Sequence, residues 1–330
     1  MIETDKIEIP IVFSTDENYV VPTIVAGYSV LKNLKSNTFV RFYIMVPDSV
    51  TEREKTFLRI LEWDDISAVE FINMDKSFSD IKMSISYISF ATYFRLALPN
   101  ILQNINKCIY LDSDLVVNSD ISELYAYDIQ DEYIAGCVAA EPTFSDFSDE
   151  EKIDHAKLLG VDDLNGYINA GVLLMNLKKI RDDNMTKVLL GMVNNDYPYQ
   201  DQDIINSAFY KHICFLPRKY NVGPLKRILK EEKKLPAERI KKIDEAYARP
   251  AIIHYAQPQK PWICKNLPMT EYWWDSLNEI LAKDSLDPEL KRIIDDFLRS
   301  SQKKAYKLNL KHNKLVMIIW KKVKKYVRKK

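Results

Sequence analysis

The residues with the clearest capacity for chemistry are two acids, Asp112 and Asp114, set inside the apolar run Ile109-Tyr110-Leu111-Asp112-Ser113-Asp114-Leu115-Val116-Val117. Strand side chains alternate, so both carboxylates point to one side if a strand continues through them. Two like charges among apolar residues are costly to bury without a partner. A hard divalent cation, Mg²⁺ or Mn²⁺, is the natural partner, and its open coordination sites accept phosphate oxygens. Acidic pairs also occur in solvated turns, but apolar triplets on both sides favour the end of a buried strand.

Other candidates are less specific in isolation. Asp16-Glu17-Asn18 follows an apolar run and suits either a turn or a ligand-facing loop. Arg95, in TYFRL, sits among aromatic and aliphatic residues and requires an acidic or ligand oxygen partner. Asp201 and Gln202 open the helical pattern QDQDIINSAF, where acids favour a helix N-terminus. His254, in AIIHYA, is by itself a structural histidine or a ligand. Cys108, Cys137, Cys214 and Cys264 form no C-x-x-C pair, which argues against zinc and for free thiols in a reducing compartment. Seven glycines leave no P-loop or dinucleotide fingerprint.

These groups must be positioned by a scaffold. Apolar runs at 9–15, 39–46, 69–74, 107–117, 133–140, 171–177, 213–217 and 251–256 read as strands. Helical spacing at 20–34, in TEREKTFLRIL and from 200 to 209 alternates with them. Alternation argues for a parallel sheet covered on both faces. EYWWDSLNEILAK and PELKRIIDDFLRS read as two amphipathic helices. The expected division is 1–270 as the α/β domain and 271–330 as C-terminal helices and tail.

The formal charge of zero conceals an asymmetry. Residues 297–330 carry thirteen Lys or Arg and no acid, leaving 34 basic against 47 acidic residues before them, a net of −13. An acidic body opposes nucleic acid as a partner. A basic tail whose Leu308, Leu315, Ile319, Val323 and Tyr326 fall near one stripe suits an anionic membrane surface. The N-terminus lacks an apolar signal core, and no run of 18 apolar residues exists. The expected location is cytoplasmic, peripheral at the inner face of the membrane.

Six motifs in order, FSTDENYV, ATYFRLALP, YLDSDLVV, INAGVLLMNLKKIR, YQDQDIIN and HYAQPQKPW, make residues 9 to 265 resemble the bacterial family 8 retaining glycosyltransferases. The lipooligosaccharide α-galactosyltransferases belong to that family, and glycogenin is a more remote relative. The resemblance implies a GT-A fold, a Rossmann-like mixed sheet flanked by helices, here with a C-terminal helical, basic tail. It implies that Ser14, Asp16 and Asn18 contact uracil and ribose, and that Arg95, Ser113, Asn169 and Asp201 lie at the donor. Asp112, Asp114 and His254 become the ligands of one cation, and the imidazole favours Mn²⁺, with Mg²⁺ the other option. Lys260 neutralises the diphosphate, and Gln202 faces the anomeric carbon. Tyr87 stands where some relatives carry histidine, and Gln257 where the family usually has glycine. Glu141 matches an acidic residue near the donor sugar, and Trp262 either covers the site or packs in a core.

The activity so implied moves galactose or glucose from a UDP-sugar to a saccharide or lipid-linked glycan acceptor, keeping the α configuration. Asp201 and Gln202 are the expected catalytic residues. An amide oxygen is a weak nucleophile, so front-face attack is favoured over double displacement. The alternatives are a UDP-sugar hydrolase and a UDP-sugar-binding protein without catalysis. A nucleotidylyltransferase is disfavoured by the missing glycine-rich loop.

Overall fold

Apolar runs that are buried along their whole length become the strands at the centre of a covered sheet. In the computed structural model these are β1 (Ile7–Ser14), β2 (Thr38–Val46), β3 (Ser67–Asn73), β4 (Cys108–Leu111), β5 (Leu115–Val117), β6 (Ile134–Val138), β7 (Ile168–Met175), β8 (Ile213–Phe215) and β9 (Ile252–His254). The structure describes residues 6–35, 37–74, 90–139, 143–144, 147–224 and 237–303. It divides into two units, Met1–Ala256 and Gln257–Lys330.

The first unit holds a seven-stranded sheet in the order β3-β2-β1-β4-β7-β6-β8. It is mixed: β3, β2, β1 and β4 pair in parallel, while β7 runs antiparallel to both β4 and β6. Strand–helix alternation alone pointed to an all-parallel sheet; the family resemblance supplied the mixed one. Val12, Tyr43, Met45, Cys108 and Tyr110 pack with helices Phe90–Ile101, Leu177–Asp182, Met185–Gly191 and Gln200–Ala208 in one core cluster. Their neighbours Ile11, Phe13, Phe42, Ile44, Ile109 and Leu111 are equally buried, so both sheet faces are covered. Each such side chain contributes about 1.5–3 kcal/mol of burial.

The helix Val20–Leu31 is buried on every side, which its sequence VVPTIVAGYSVL permits. Its Gly27 lets Leu61 approach to where a Cβ would sit 2.5 Å from Leu61 Cδ1. Capping boxes set the helix starts at Thr51 with Glu54 and at Ser148 with Glu151.

The 107–117 segment departs from a single strand. β4 belongs to the seven-stranded sheet, and β5 pairs antiparallel with β9 in a separate two-stranded sheet. The chain changes sheets at Asp112-Ser113-Asp114, so the convergence of the two carboxylates does not come from strand alternation.

In the second unit, Trp262 lies 5.2 Å from Trp273 and 5.8 Å from Phe297 between ring centroids, and it is buried. Trp262 therefore packs in an aromatic core. Helices occupy Thr270–Leu281 and 288–303. No helix among the described residues is long and apolar enough to cross a membrane. The tail from residue 304 lies outside the described residues.

Candidate active site

The site is built where β4 ends. Asp112 N–H donates to the Gly171 carbonyl at 2.8 Å, which extends the β4–β7 ladder by one bond. The chain then turns, and Ser113 is tied down from two sides. Its hydroxyl donates to the Ser14 carbonyl at 3.0 Å and accepts from Thr23 Oγ1 at 2.8 Å. Leu115 pairs with His254 across the small sheet, and Tyr255 N–H donates to the Asp114 carbonyl. That pairing sets His254 beside Asp114 across 140 residues of sequence, Nε2 to Oδ1 3.0 Å. His254 Nε2 is 3.6 Å from Asp112 Oδ2. One ligand atom from each of Asp112, Asp114 and His254 lies within 4.8 Å of the others.

Gly171 provides the space for this cluster. A Cβ there would lie 2.3 Å from His254 Cε1 and 2.4 Å from Asp112 Oδ2. The space that a side chain would take at Gly171 is filled by His254 and Asp112 themselves.

Asp112 is oriented from behind. Its Oδ1 accepts from Arg95 Nη2 at 3.0 Å and from Tyr110 Oη at 3.2 Å, which turns Oδ2 toward His254. Arg95 stacks on the Tyr110 ring at 4.2 Å, donates to the Ala170 carbonyl and places Nε 2.9 Å from Asp201 Oδ2. That last contact is an ion pair without the alignment of a hydrogen bond, for Asp201 Oδ2 is a buried oxygen with no hydrogen-bond partner among the described residues. One guanidinium thus serves two carboxylates. Burial would lower Arg95, but Asp112 and Asp201 hold it charged, with its pKa above the ordinary arginine value. Burial pushes Asp201 up to about 7, Arg95 opposes this, and the charge of Asp112 adds to it. Tyr19 is raised by burial and by Asp114, Asp16 and Asp112. Asp16, Asp112 and Asp114 thus make this pocket negative, a charge that a cation would relieve.

The helix Gln200–Ala208, which carries Asp201 and Gln202, is clamped to β7 by Asn206. Its Oδ1 accepts from Ile168 N–H at 2.7 Å, and its Nδ2 donates to the carbonyls of Ile168 and Gln202. Gln202 Oε1 accepts from Asn169 Nδ2 at 3.0 Å and from Ala170 N–H at 3.1 Å. In the first loop, Asp16 Oδ1 accepts from the N–H groups of Asn18 and Tyr19, an Asx turn leading into the helix Val20–Leu31. Asn18 is exposed. Lys260 belongs to the second unit, where its carbonyl accepts from Ile263 and Cys264. Tyr87 and Glu141 lie outside the described residues.

Sequence reasoning missed Asn221. Its Oδ1 lies 3.1 Å from His254 Nδ1, and its Nδ2 donates to Asn169 Oδ1 at 2.8 Å. It also missed the buried trio of His155, Tyr167 and Asp203 beneath Gln202. Only Asp203 lay within a singled-out motif, YQDQD; Asn221 carries no local signal.

A mixed sheet whose strand ends present two acids and a histidine defines a GT-A glycosyltransferase fold. The chain belongs to glycosyl transferase family 8, which matches residues 10–265, and it is a hexosyltransferase. A glycosyltransferase-class protein of Haemophilus influenzae is 33% identical over 257 residues, covering 76% of this chain and 72% of that protein. The lipopolysaccharide 1,2-glucosyltransferase of Escherichia coli is 28% identical over 255 residues, covering 75% and 71%. Among solved structures, the galactosyltransferase LgtC with donor and acceptor sugar analogs superposes with a TM-score of 0.68 at 24% identity, over 86% of this chain and 99% of that one.

Proposed function

We propose that the chain transfers galactose or glucose from a UDP-sugar, with retention and with Mn²⁺, to a saccharide or lipid-linked acceptor in bacterial surface polysaccharide or lipopolysaccharide synthesis. The observation that carries this reading is the convergence of Asp112, Asp114 and His254 beside the Arg95–Asp201 pair. The donor set fits a divalent cation, and the imidazole favours Mn²⁺ over Mg²⁺. Bound there, the cation would neutralise charge on the leaving diphosphate.

The chain's own residues do the rest in this reading. Ser14, Asp16 and Asn18 hold the nucleoside, and Lys260 faces the diphosphate. Asp201, ion-paired to Arg95, suits a donor-sugar hydroxyl. Arg95 keeps Asp112 aimed at the cation. Asn169 and Gln202 lie beside the sugar, with Gln202 nearest the reacting carbon. The basic tail adds association with an anionic membrane surface, which keeps the enzyme at the cytoplasmic face near a lipid-linked acceptor.

The test is a screen of UDP-sugars with Mn²⁺, scoring UDP release with and without acceptor. Turnover of a UDP-hexose is expected, and failure to bind or cleave any UDP-sugar sinks the reading. Asp114→Asn should stay folded and lose metal-dependent turnover. For the tail, vesicle sedimentation should show binding to anionic lipid by the full chain that is lost in a chain ending at Ser300; equal binding by both removes the membrane role.

A further inference from the structure

Six side chains join the cation cluster to a buried carboxylate by an unbroken line of hydrogen bonds. The line runs His254 Nδ1 to Asn221 Oδ1 at 3.1 Å, then Asn221 Nδ2 to Asn169 Oδ1 at 2.8 Å. It continues from Asn169 Nδ2 to Gln202 Oε1 at 3.0 Å, then Gln202 Nε2 to Tyr167 Oη at 3.1 Å. Tyr167 Oη donates to Asp203 Oδ1 at 2.7 Å, where His155 Nε2 also approaches to 3.0 Å.

The direction of this line follows from the backbone. A carboxamide's oxygen and nitrogen exchange places freely unless a one-way partner fixes them, and a backbone N–H only donates. Gly171 N–H points at Asn169 Oδ1 at 3.0 Å, so that atom is the oxygen and Asn169 Nδ2 faces Gln202. Ala170 N–H points independently at Gln202 Oε1, which leaves Gln202 Nε2 for Tyr167. Tyr167 accepts there and must donate onward, and Asp203, already accepting from Tyr199 N–H at 2.9 Å, receives it. In the other direction, Asn169 Oδ1 accepts from Asn221, so the Asn221 amide nitrogen is committed. Its oxygen is what remains for His254, and an oxygen accepts. His254 therefore carries a proton on Nδ1, and its Nε2 is the atom that faces Asp112 and Asp114.

We infer that Asn221 and Tyr167 are positioning residues for this enzyme: Asn221 selects the ligating tautomer of His254, and the line through Asn169 fixes the Gln202 carboxamide, with Tyr167 holding its far end. This inference rests on the proposed cation-dependent sugar transfer. It makes the cation site and the sugar-facing amide one preorganised unit, because rotating any one amide by half a turn opposes donor to donor at its neighbour. Outer partners of ligating histidines act in this way in metal sites generally.

The tautomer is measurable in the wild-type, metal-free protein. With ¹⁵N-histidine and only four histidines in the chain, long-range ¹H–¹⁵N spectra at pH 8 separate the forms, and His254→Gln assigns the signal. A protonated Nδ1 is expected; an Nδ1 without a proton overturns the inference. Mn²⁺ affinity is then read by the free-ion EPR signal without any donor. Asn221→Leu should weaken Mn²⁺ binding about 10–100-fold. Asn221→Asp keeps an acceptor for His254 but no donor for Asn169, so Mn²⁺ binding should hold while kcat falls at least tenfold. Tyr167→Phe should leave Mn²⁺ affinity within twofold and lower kcat about tenfold with donor KM little changed. Thermal midpoints monitor folding throughout. Wild-type affinity in Asn221→Leu, or wild-type kcat in Tyr167→Phe, refutes the corresponding half. A wild-type protein that binds no Mn²⁺ counts instead against the proposed function, and the tautomer remains readable.

Discussion

Replacing Gly171 with alanine adds a single methyl group at the most crowded point of the site. That carbon would lie 2.3 Å from His254 Cε1 and 2.4 Å from Asp112 Oδ2. An ordinary carbon–carbon contact is about 3.5 Å or more, so His254 must retreat by about 1 Å. It has little freedom to do so, being held by Asn221 at Nδ1 and by Asp114 at Nε2. Asp112 is held by Arg95 and Tyr110. Metal–ligand distances tolerate about 0.2 Å, so a shift of this size removes at least one ligand from coordination. The expected loss in Mn²⁺ affinity is about 10–100-fold, equal to about 1.4–2.7 kcal/mol. Overpacking adds about 1–3 kcal/mol of destabilisation, visible as a lower thermal midpoint of the metal-free protein. The assay is titration of the apo-protein with Mn²⁺, following free-ion EPR. A Gly171→Ala protein that binds Mn²⁺ within twofold of wild type would refute the argument that these three side chains form a rigid ligand set.

Other consequences follow from the same contacts. Arg95→Met leaves the buried Asp201 and the half-buried Asp112 without their cation, and unfolding free energy should fall by about 3–5 kcal/mol in denaturant titrations, chiefly through Asp201. Asp201 has a folded pKa of about 7, above the ordinary carboxylate value near 4. The folded state therefore binds the extra proton, so this group's contribution to stability is fully favourable below about pH 4 and is lost as pH rises through 7. In metal-free Asp201→Asn that loss between pH 4 and 7 should vanish, and an unchanged pH profile of unfolding would contradict it. Asn206→Ala strips the Ile168 N–H and carbonyl of their partners, and about 2–3 kcal/mol should be lost in urea unfolding. Burial raises Cys108 and pushes Cys137 up to about 12, so both should resist a thiol reagent in the native protein while the half-exposed Cys264 reacts.

Much of the scaffold was legible because its cause is local. An apolar run such as IPIVFS makes a buried strand wherever it sits, and VVPTIVAGYSVL makes a buried helix. The acidic pair was equally visible, since carboxylates inside a buried run must be answered by a counter-charge. What periodicity misjudged was continuity: residues 107–117 look like one strand, and only the change of sheets at Asp112-Ser113-Asp114 shows two. The reversed direction of β7 was likewise invisible to alternation, because a strand's apolar pattern reads the same both ways.

By itself, then, the sequence indicated the kinds of elements and the expectation of a cation at Asp112 and Asp114. Family motifs added His254 as the expected third ligand. The tertiary structure decided the contacts: the β5–β9 register that sets His254 beside Asp114, the missing Cβ at Gly171, and the Asn221 bridge from the imidazole to Asn169 and Gln202. These depend on which distant segments pair and in which direction their donors point. Hydrogen bonds over such separations leave no periodic trace in the chain, so Asn221 becomes visible only once β9 and the segment before it lie side by side.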